Sequence, residues 1–528
     1  MGFETRANRY TARPMSRSLL RASGVVGAMT LLSRLLGFVR EIMLAAAFGA
    51  GGGMDAFLIA LMIPNFGRRM FAEGAFSQAF VPVFTETKTL QPHEEARALL
   101  ARVMGTLGAV LSLITVLGCV GAPLLVWLFA SGFHSDPDKA GLAAELLRWT
   151  FPYLMFISLT SMAGGVLNAY GRFAVPAFTP VILNLCLIAS AFIDSGSVQA
   201  LAWAVFAAGI LQFAFQLPTM AGLDLLPLPR WGWRDERVRR IIGLMLPVMV
   251  GSSVAQLSLL LNTNLSTHLG DGPVSWLYYA NRLMEFPLGI FSIAIGTAIL
   301  PALSAQHARG DAGQFAGTLD WSLRSMLVIG LPAALGMLVL AGPLVATVYG
   351  HGRFGEDDVR MTAYALWAYG LGFMGFSLIK VLTPAFYARQ NTRQPVRYAV
   401  IGLIVGMSAS LALFAAARLW QLPAAHVGLA LSTSLTAWVN ALLLLWRLRR
   451  DGIYQAGAGW GAFALRLLLA NVLMAAVVLY LAGPLHWWLT AGAWARGGRV
   501  LLVIAAAALV YFGVLAASGM RLQHFRRR

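Results

Sequence analysis

The chain has 528 residues, 58% of them hydrophobic and 12% charged, where a soluble protein carries about 25% charged residues; this excludes a soluble globular fold and leaves an all-α polytopic membrane protein. The formal charge of +18 would point to nucleic acid in a soluble domain, but the basic residues lie in short loops between apolar runs, where positive-inside bias accounts for them and no nucleic-acid partner is expected. Cys119 and Cys186 sit within apolar runs with no His or Cys at ligand spacing, so neither a disulfide framework nor a zinc site follows.

In chain order, residues 1–23 read as a basic, uncleaved cytoplasmic tail: the apolar run behind them is interrupted by Arg34 and shows no small-residue cleavage site. Apolar runs long enough to span, about 20 residues each, fall near 24–49, 55–85, 98–130, 142–170, 176–194, 198–222, 238–269, 274–305, 316–349, 360–389, 395–417, 424–446, 460–482 and 498–519. The reading is fourteen transmembrane helices. Arg230, Arg234, Arg237, Arg239 and Arg240 mark one side of the membrane, as do Arg389, Arg393 and Arg397, then Arg447, Arg449 and Arg450, then Arg526 to Arg528. Loops 50–54, 131–141, 193–197, 270–273 and 418–423 are nearly free of Lys and Arg, which places both termini in the cytoplasm of a multi-pass membrane protein.

Pro64, Pro82, Pro152, Pro287, Pro301, Pro332 and Pro384 fall inside these runs. Each removes a helical hydrogen bond, and such breaks are tolerated at membrane depth where the helix borders protein or water. An internal repeat is visible: Pro82 and Pro301 are 219 residues apart, Pro176 and Pro395 are also 219 apart, and VWLFASGF and ATVYGHGRF sit in nearly the same register. The chain then divides into a six-helix lobe over 24–222, a cytoplasmic connector over 223–237, a second six-helix lobe over 238–450, two extra helices within 451–519 and a basic tail over 520–528. Repeats of this kind, with the site at their interface, are a recurring transporter plan. In the extra pair, His486, Trp487 and Trp488 are expected at an interfacial aromatic position; the pair either packs for assembly or presents a greasy surface beside the cavity.

The second conspicuous feature is charge at membrane depth. Arg34, Arg40, Glu41, Asp55, Arg68, Arg69 and Glu73 interrupt the first two runs; each ion costs about 2.5–3.5 kcal/mol on insertion scales, so the cluster should face a wet cavity. Arg34 and Glu41 share a face while Arg40 points about 120° from Arg34, and Gly37 between them could bend the helix. Arg34 either snorkels to headgroups or joins Arg40 in the cavity. Arg69 and Glu73, at i,i+4, can pair as a structural or gating element, leaving Arg68 to face substrate. Asp55, after the glycine run 49–53, is either a helix N-cap or a gate that pairs with an arginine in one state, and the two are compatible. In the second lobe Arg282 and Glu285 are at i,i+3, and Lys380 either lines the cavity or pairs locally. The sum is net cationic, suited to an anion. No GxxxxGK[ST] loop, HExxH or GxSxG occurs, so an enzyme or an ATP-driven pump is not expected.

The segments SRLLGFVREI, DAFLIALMIPNFGRRMFAEGAFSQAFVPVF and SWLYYANRLMEFPLGIFSIAIGTAILP resemble the signature segments of the MurJ/MviN lipid II flippases, within the multidrug/oligosaccharidyl-lipid/polysaccharide exporter superfamily, and the resemblance runs from about Leu19 to the C-terminus. It implies a bacterial inner-membrane transporter that moves undecaprenyl-diphosphate-linked disaccharide pentapeptide to the outer leaflet for peptidoglycan assembly, using twelve helices around a cationic cavity and a groove for the lipid tail on the last two. It also implies alternating access coupled to membrane potential or an ion, no cofactor, and lipid II, membrane lipids and other cell-wall synthesis proteins as partners. Family residues important for activity match Arg34, Arg40, Asp55, Arg68 and Arg282. Glu41 stands where Asp is common, and Asn281 stands where Asp often precedes the arginine, so that Arg282 is expected to lack a local partner. The competing readings are a flippase for another polyprenyl-diphosphate oligosaccharide, a membrane glycosyltransferase using lipid II, and a scaffold for wall-synthesis enzymes, the last of which leaves the buried arginines unexplained.

Overall fold

The computed structural model describes residues 17–70, 76–194 and 196–520; Glu73 and the expected tail residues 1–16 and 521–528 lie outside them. Among the described residues there are nineteen α-helices and no strand. The first half of the chain forms α1 (Arg17–Phe48), α2 (Gly52–Arg68), α3 (Ser77–Leu90), α4 (His93–Val120), α5 (Ala122–Phe129), α6 (Pro137–Thr150), α7 (Tyr153–Ala169), α8 (Ala174–Ile193) and α9 (Val198–Ala221). The second forms α10 (Glu236–Ser266), α11 (Pro273–Ala308), α12 (Ala312–Val339), α13 (Ala341–Val348), α14 (Glu356–Tyr387), α15 (Arg393–Leu419) and α16 (His426–Arg450), followed by α17 (Trp460–Ala482), α18 (Leu485–Thr490) and α19 (Ala493–Ala517). Ten segments are long and apolar enough to cross a membrane, with α6 and α7 counted as one. The long segments outside that set include α1, α2 and α11, which carry Arg34, Arg40, Glu41, Asp55, Arg68, Arg282 and Glu285.

Helix boundaries follow local chemistry. Asp136, Asp235 and Asp311 cap α6, α10 and α12 by accepting backbone N–H bonds, as short carboxylates at helix starts do. Gly49, at φ 70°, turns the chain after α1 where a Cβ would lie 2.8 Å from the Arg353 carbonyl oxygen. Within the run expected over 55–85 the backbone is π-helical at Arg69–Met70 and again at Phe76, and Arg69 and Phe76 both keep right-handed helical angles, an irregularity that often marks functional positions. The α6–α7 break falls at Phe151–Pro152, whereas Pro64, Pro82, Pro287, Pro301, Pro332 and Pro384 remain inside helices. Residues 17–23, within the stretch expected as tail, are already helical.

Several helix starts recur at one offset of 219 residues: His93 and Ala312, Ala122 and Ala341, Pro137 and Glu356, Ala174 and Arg393. Within the first half α1 packs on α8, α2 on α6, and α9 on α7 and α8; within the second α11 packs on α14, and α16 on α14 and α15. Small residues permit the closest approaches, as bilayer-embedded packing favours: a Cβ at Gly375 of α14 would come 2.9 Å from the Trp438 nitrogen of α16. One apolar cluster, including Met54, Phe57, Tyr279, Tyr349 and Phe354, joins the halves at the Asp55 end. At the other end the core divides, with Phe80, Phe84, Leu99 and Met162 in one cluster and Leu303, Leu319, Phe386 and Leu444 in another. A cavity lies between.

The connector is docked rather than loose. Arg230 N–H donates to the Ala101 carbonyl at 2.9 Å, Gly232 N–H to Thr106 Oγ1 at 2.9 Å, and Asp235 pairs with Arg102. The last helices are fastened to α12, where Asp320 accepts from the Tyr454 hydroxyl at 2.9 Å and Trp460 Nε1 at 2.7 Å and pairs with Arg324 at 2.8 Å. Arg496 donates to the Ala346 and Gly350 carbonyls at 2.6 and 2.8 Å, satisfying the C-terminus of α13. Trp488, expected at the interface, is instead 0% exposed and donates to the Ala482 carbonyl at 2.8 Å; its indole N–H finds a partner at the end of α17, which lets the ring join the core.

Candidate functional site

The cavity encloses about 1010 Å³ and is lined by residues of both halves, among them Arg34, Arg40, Arg68, Arg69, Arg282 and Glu285. Helix α1 is helical throughout Gly37, and Arg34 and Arg40 reach the same cavity from it. Arg40 is held by two groups: its Nη1 donates to Asn184 Oδ1 at 3.0 Å, and its Nη2 pairs with Glu41. Asn184 of α8 in turn donates to the Ser33 carbonyl at 3.0 Å, so one buried amide ties α1 to the guanidinium it presents. A Cβ at Gly37 would make ordinary van der Waals contact with that amide, at 3.7 Å.

Glu41 is 3% exposed and is the hub of the cluster. Its Oε1 accepts from Arg40 and from the Tyr278 hydroxyl at 2.9 Å, and Arg282 Nε stands 3.6 Å away. Arg282 also pairs with Glu285 at 3.1 Å and lies over the Tyr278 ring at 5.3 Å. The expectation that Arg282 lacks a local partner is therefore overturned. Asn281 does not supply a charge, but it donates to Glu285 Oε1 at 3.1 Å and so aims the carboxylate that does. Removing Glu41 would leave the largely buried Arg40 guanidinium without its carboxylate, which is costlier than the pair is favourable.

Arg68 Nε donates to Asn65 Oδ1 at 3.1 Å one turn earlier on α2, while Arg69 Nη1 donates to Gln256 Oε1 of α10 at 2.9 Å and so crosses between the halves. Both line the cavity. The pairing of Arg69 with Glu73 falls outside the described residues. Arg34 is exposed and its guanidinium rests beside Gly289 of α11, near the Phe38–Phe286 contact at 5.0 Å. Lys380 is exposed on α14, next to Ile379, which does line the cavity. The buried Nε of Arg40 and Oε2 of Glu41 have no hydrogen-bond partner among the described residues. The described lining thus presents five arginines, with Glu41 and Glu285 as the acids in contact with them.

Asp55 closes the opposite end. It is 0% exposed and accepts from Gly272 N–H at 2.8 Å, Ser275 N–H at 2.9 Å and the Ser275 hydroxyl at 2.6 Å. It therefore caps α11 of the other half. Its own helix starts at Gly51, which has no side-chain cap, and Asp55 already lies one turn inside, so the expectation of a cap on its own helix is corrected. Its cationic neighbour is Lys139, at 3.5 Å, rather than an arginine.

Sequence reasoning missed Asn184, Tyr278, Gln256 and Lys139. Asn184 had a signal, an amide inside an apolar run; Lys139 had one in being among the chain's three lysines.

The family model described as lipid II flippase MurJ matches residues 44–495. The chain is 42% identical over 527 residues to a lipid II flippase MurJ of Burkholderia cenocepacia, covering 97% of this chain and 99% of that one. It is 40% identical over 523 residues to a probable lipid II flippase MurJ of Vibrio cholerae, covering 97% and 98%. Among solved structures it resembles a lipid II flippase MurJ in an inward closed conformation, with a TM-score of 0.76 and 25% identity over 93% of this chain and 98% of that one. At the level of fold it also resembles an inward-facing multidrug resistance MATE family transporter of the MOP superfamily, with a TM-score of 0.63 and 14% identity over 82% of this chain and 98% of that one. A full-length match at this identity, on a helical fold built around an arginine-lined cavity, places the chain in the MurJ lipid II flippase family, a family of transporters rather than enzymes.

Proposed function

We propose that this chain carries lipid II from the inner to the outer leaflet of the bacterial cytoplasmic membrane for cell-wall synthesis, with Arg34, Arg40, Arg68 and Arg282 receiving its diphosphate. The observation that carries this reading is the convergence of those arginines from α1, α2 and α11 on one cavity. A guanidinium fork matches phosphate oxygens bidentately.

The ten apolar segments together with α1, α2–α3, α10 and α11 make fourteen spans, and the common 219-residue offset of helix starts supports two lobes of six related by repeat. The basic connector and the arginines after α14 and α16 put the termini on the cytoplasmic side under positive-inside bias. Lipid II then enters from that side, its diphosphate offsets repulsion within the arginine set, and the lobes close behind it. The end capped by Asp55 opens next. The prenyl chain stays in lipid, along the exposed apolar face of α17 and α19 where Leu465, Leu468, Leu501 and Leu502 point outward. Transport draws on membrane potential or an ion, and the chain works beside other wall-synthesis proteins.

A reconstituted flipping assay tests the assignment: single changes of Arg34, Arg40, Arg68 and Arg282 to Ala each abolish flipping while membrane insertion persists. Wild-type rates from all four would end it.

A further inference from the structure

We infer that Lys139 is a positioning residue for the transport cycle, a charge bridge that holds the Asp55 end shut by spanning the two halves. The inference rests on the alternating-access reading and deepens it. The Lys139 side chain is 6% exposed, and its ammonium has four neighbours. Two belong to its own half: Asp55 Oδ2 at 3.5 Å and the Phe133 ring at 4.5 Å. Two belong to the turn before α11: Asp271 Oδ1 at 2.6 Å and the Gly270 carbonyl at 3.5 Å. A buried ammonium stays charged only where anions and acceptors surround it, and here half of them are supplied by the opposite half.

The backbone beneath Lys139 is fixed, since its N–H donates to the capping Asp136 at 3.1 Å. Its reach toward α11 is therefore set by the side chain. Separating the halves breaks the short contact to Asp271 and takes Gly272 and Ser275 away from Asp55, yet it leaves Lys139 and Asp55 together on the same half. The lysine thus has a partner in either arrangement: Asp271 when the end is shut, Asp55 when it is open. That handover makes the latch reversible. Loss of the ammonium leaves Asp55 without its cation and removes the only ion pair seen across this end among the described residues.

The test uses the full chain in nanodiscs without lipid II, so that it reads the latch whatever the cargo. With Cys119 and Cys186 replaced, spin labels go on Ile193 and Leu422, exposed positions of opposite halves at the Asp55 end, and their separation is measured by pulsed electron resonance. Lys139→Met is expected to add a longer-distance population that the parent lacks, and Lys139→Arg to restore the parent distribution. Asp271→Asn, a change at an exposed carboxylate, is expected to shift the distribution in the same direction and serves if Lys139→Met fails to insert. Parent distributions in every variant that inserts would overturn the inference and leave the arginine assignment standing. The longer-distance population in Lys139→Met or Asp271→Asn, absent from the parent and from Lys139→Arg, supports it, whatever the arginine variants do to flipping.

Discussion

Arg40 shows how much of this site depends on single contacts. Its guanidinium is aimed by Asn184 on one side and Glu41 on the other. Asn184→Ala removes both that contact and the bond to the Ser33 carbonyl; a lost hydrogen bond to a charged group is worth about 1.5–3 kcal/mol. Flipping in proteoliposomes is expected to fall about tenfold or more, since each 1.4 kcal/mol is a factor of ten, with the protein still inserted. An unchanged rate would show that Arg40 needs no such aiming. A second expectation concerns Glu41→Gln, which leaves Arg40 and Arg282 facing each other across Tyr278 without their shared carboxylate. Thermal unfolding in detergent should move to lower temperature, and added diphosphate should recover part of the loss by supplying a counter-anion. A variant as stable as the parent with no response to diphosphate would contradict the hub role. The charged positions themselves were legible in the sequence because an ion in an apolar run has a cost that demands a reason. Their partners were not. Neighbours on a helix point about 100° apart, so nothing in the spacing joins Arg40 to Glu41, and the Tyr278 hydroxyl that shares the Glu41 oxygen comes from a helix more than 200 residues away.

Among the elements, the connector between α9 and α10 behaves as part of the first half. A Cβ at Gly105 would overlap the Arg230 backbone, so Gly105→Val is expected to lift the connector from α4 and to increase amide exchange over 223–235; unchanged exchange there would refute the docking. The Asp235 carboxyl offers a pH test. Burial pushes its pKa up, but hydrogen bonds from Arg237 and Arg102 outweigh this and hold it below the usual range. A depressed carboxyl stabilises docking fully above its unfolded value of about 3.9 and loses that contribution as pH falls through the folded value. Emission from the exposed pair Trp231 and Trp233 should therefore be flat through neutral pH and change only in acid, while Asp235→Asn shows the changed emission at neutral pH. Helix existence was readable from apolar runs, and the two proline pairs at 219 residues anticipated the recurrence of helix starts. The π-helical turn at Arg69 was not readable, because it alters hydrogen bonding without altering the apolar pattern. Trp488 was misplaced for a related reason: a Trp beside a loop fits an interface and a core alike until its N–H partner is known.

For the whole molecule, the arrangement has two ends of different character. At one, Asp55 and Lys139 join the halves through buried polar contacts; at the other, the core divides and arginines line the gap. That asymmetry is what a carrier of a diphosphate needs. The central claim, that the arginine-lined cavity holds this headgroup, is tested most directly by photocrosslinking lipid II to a reactive residue placed at Met62, which lines the cavity close in sequence to Arg68. The account predicts a lipid II adduct in the otherwise unaltered chain, competed away by undecaprenyl diphosphate and greatly reduced by Arg68→Ala or Arg282→Ala. No adduct, or equal yields with and without those arginines, would contradict it.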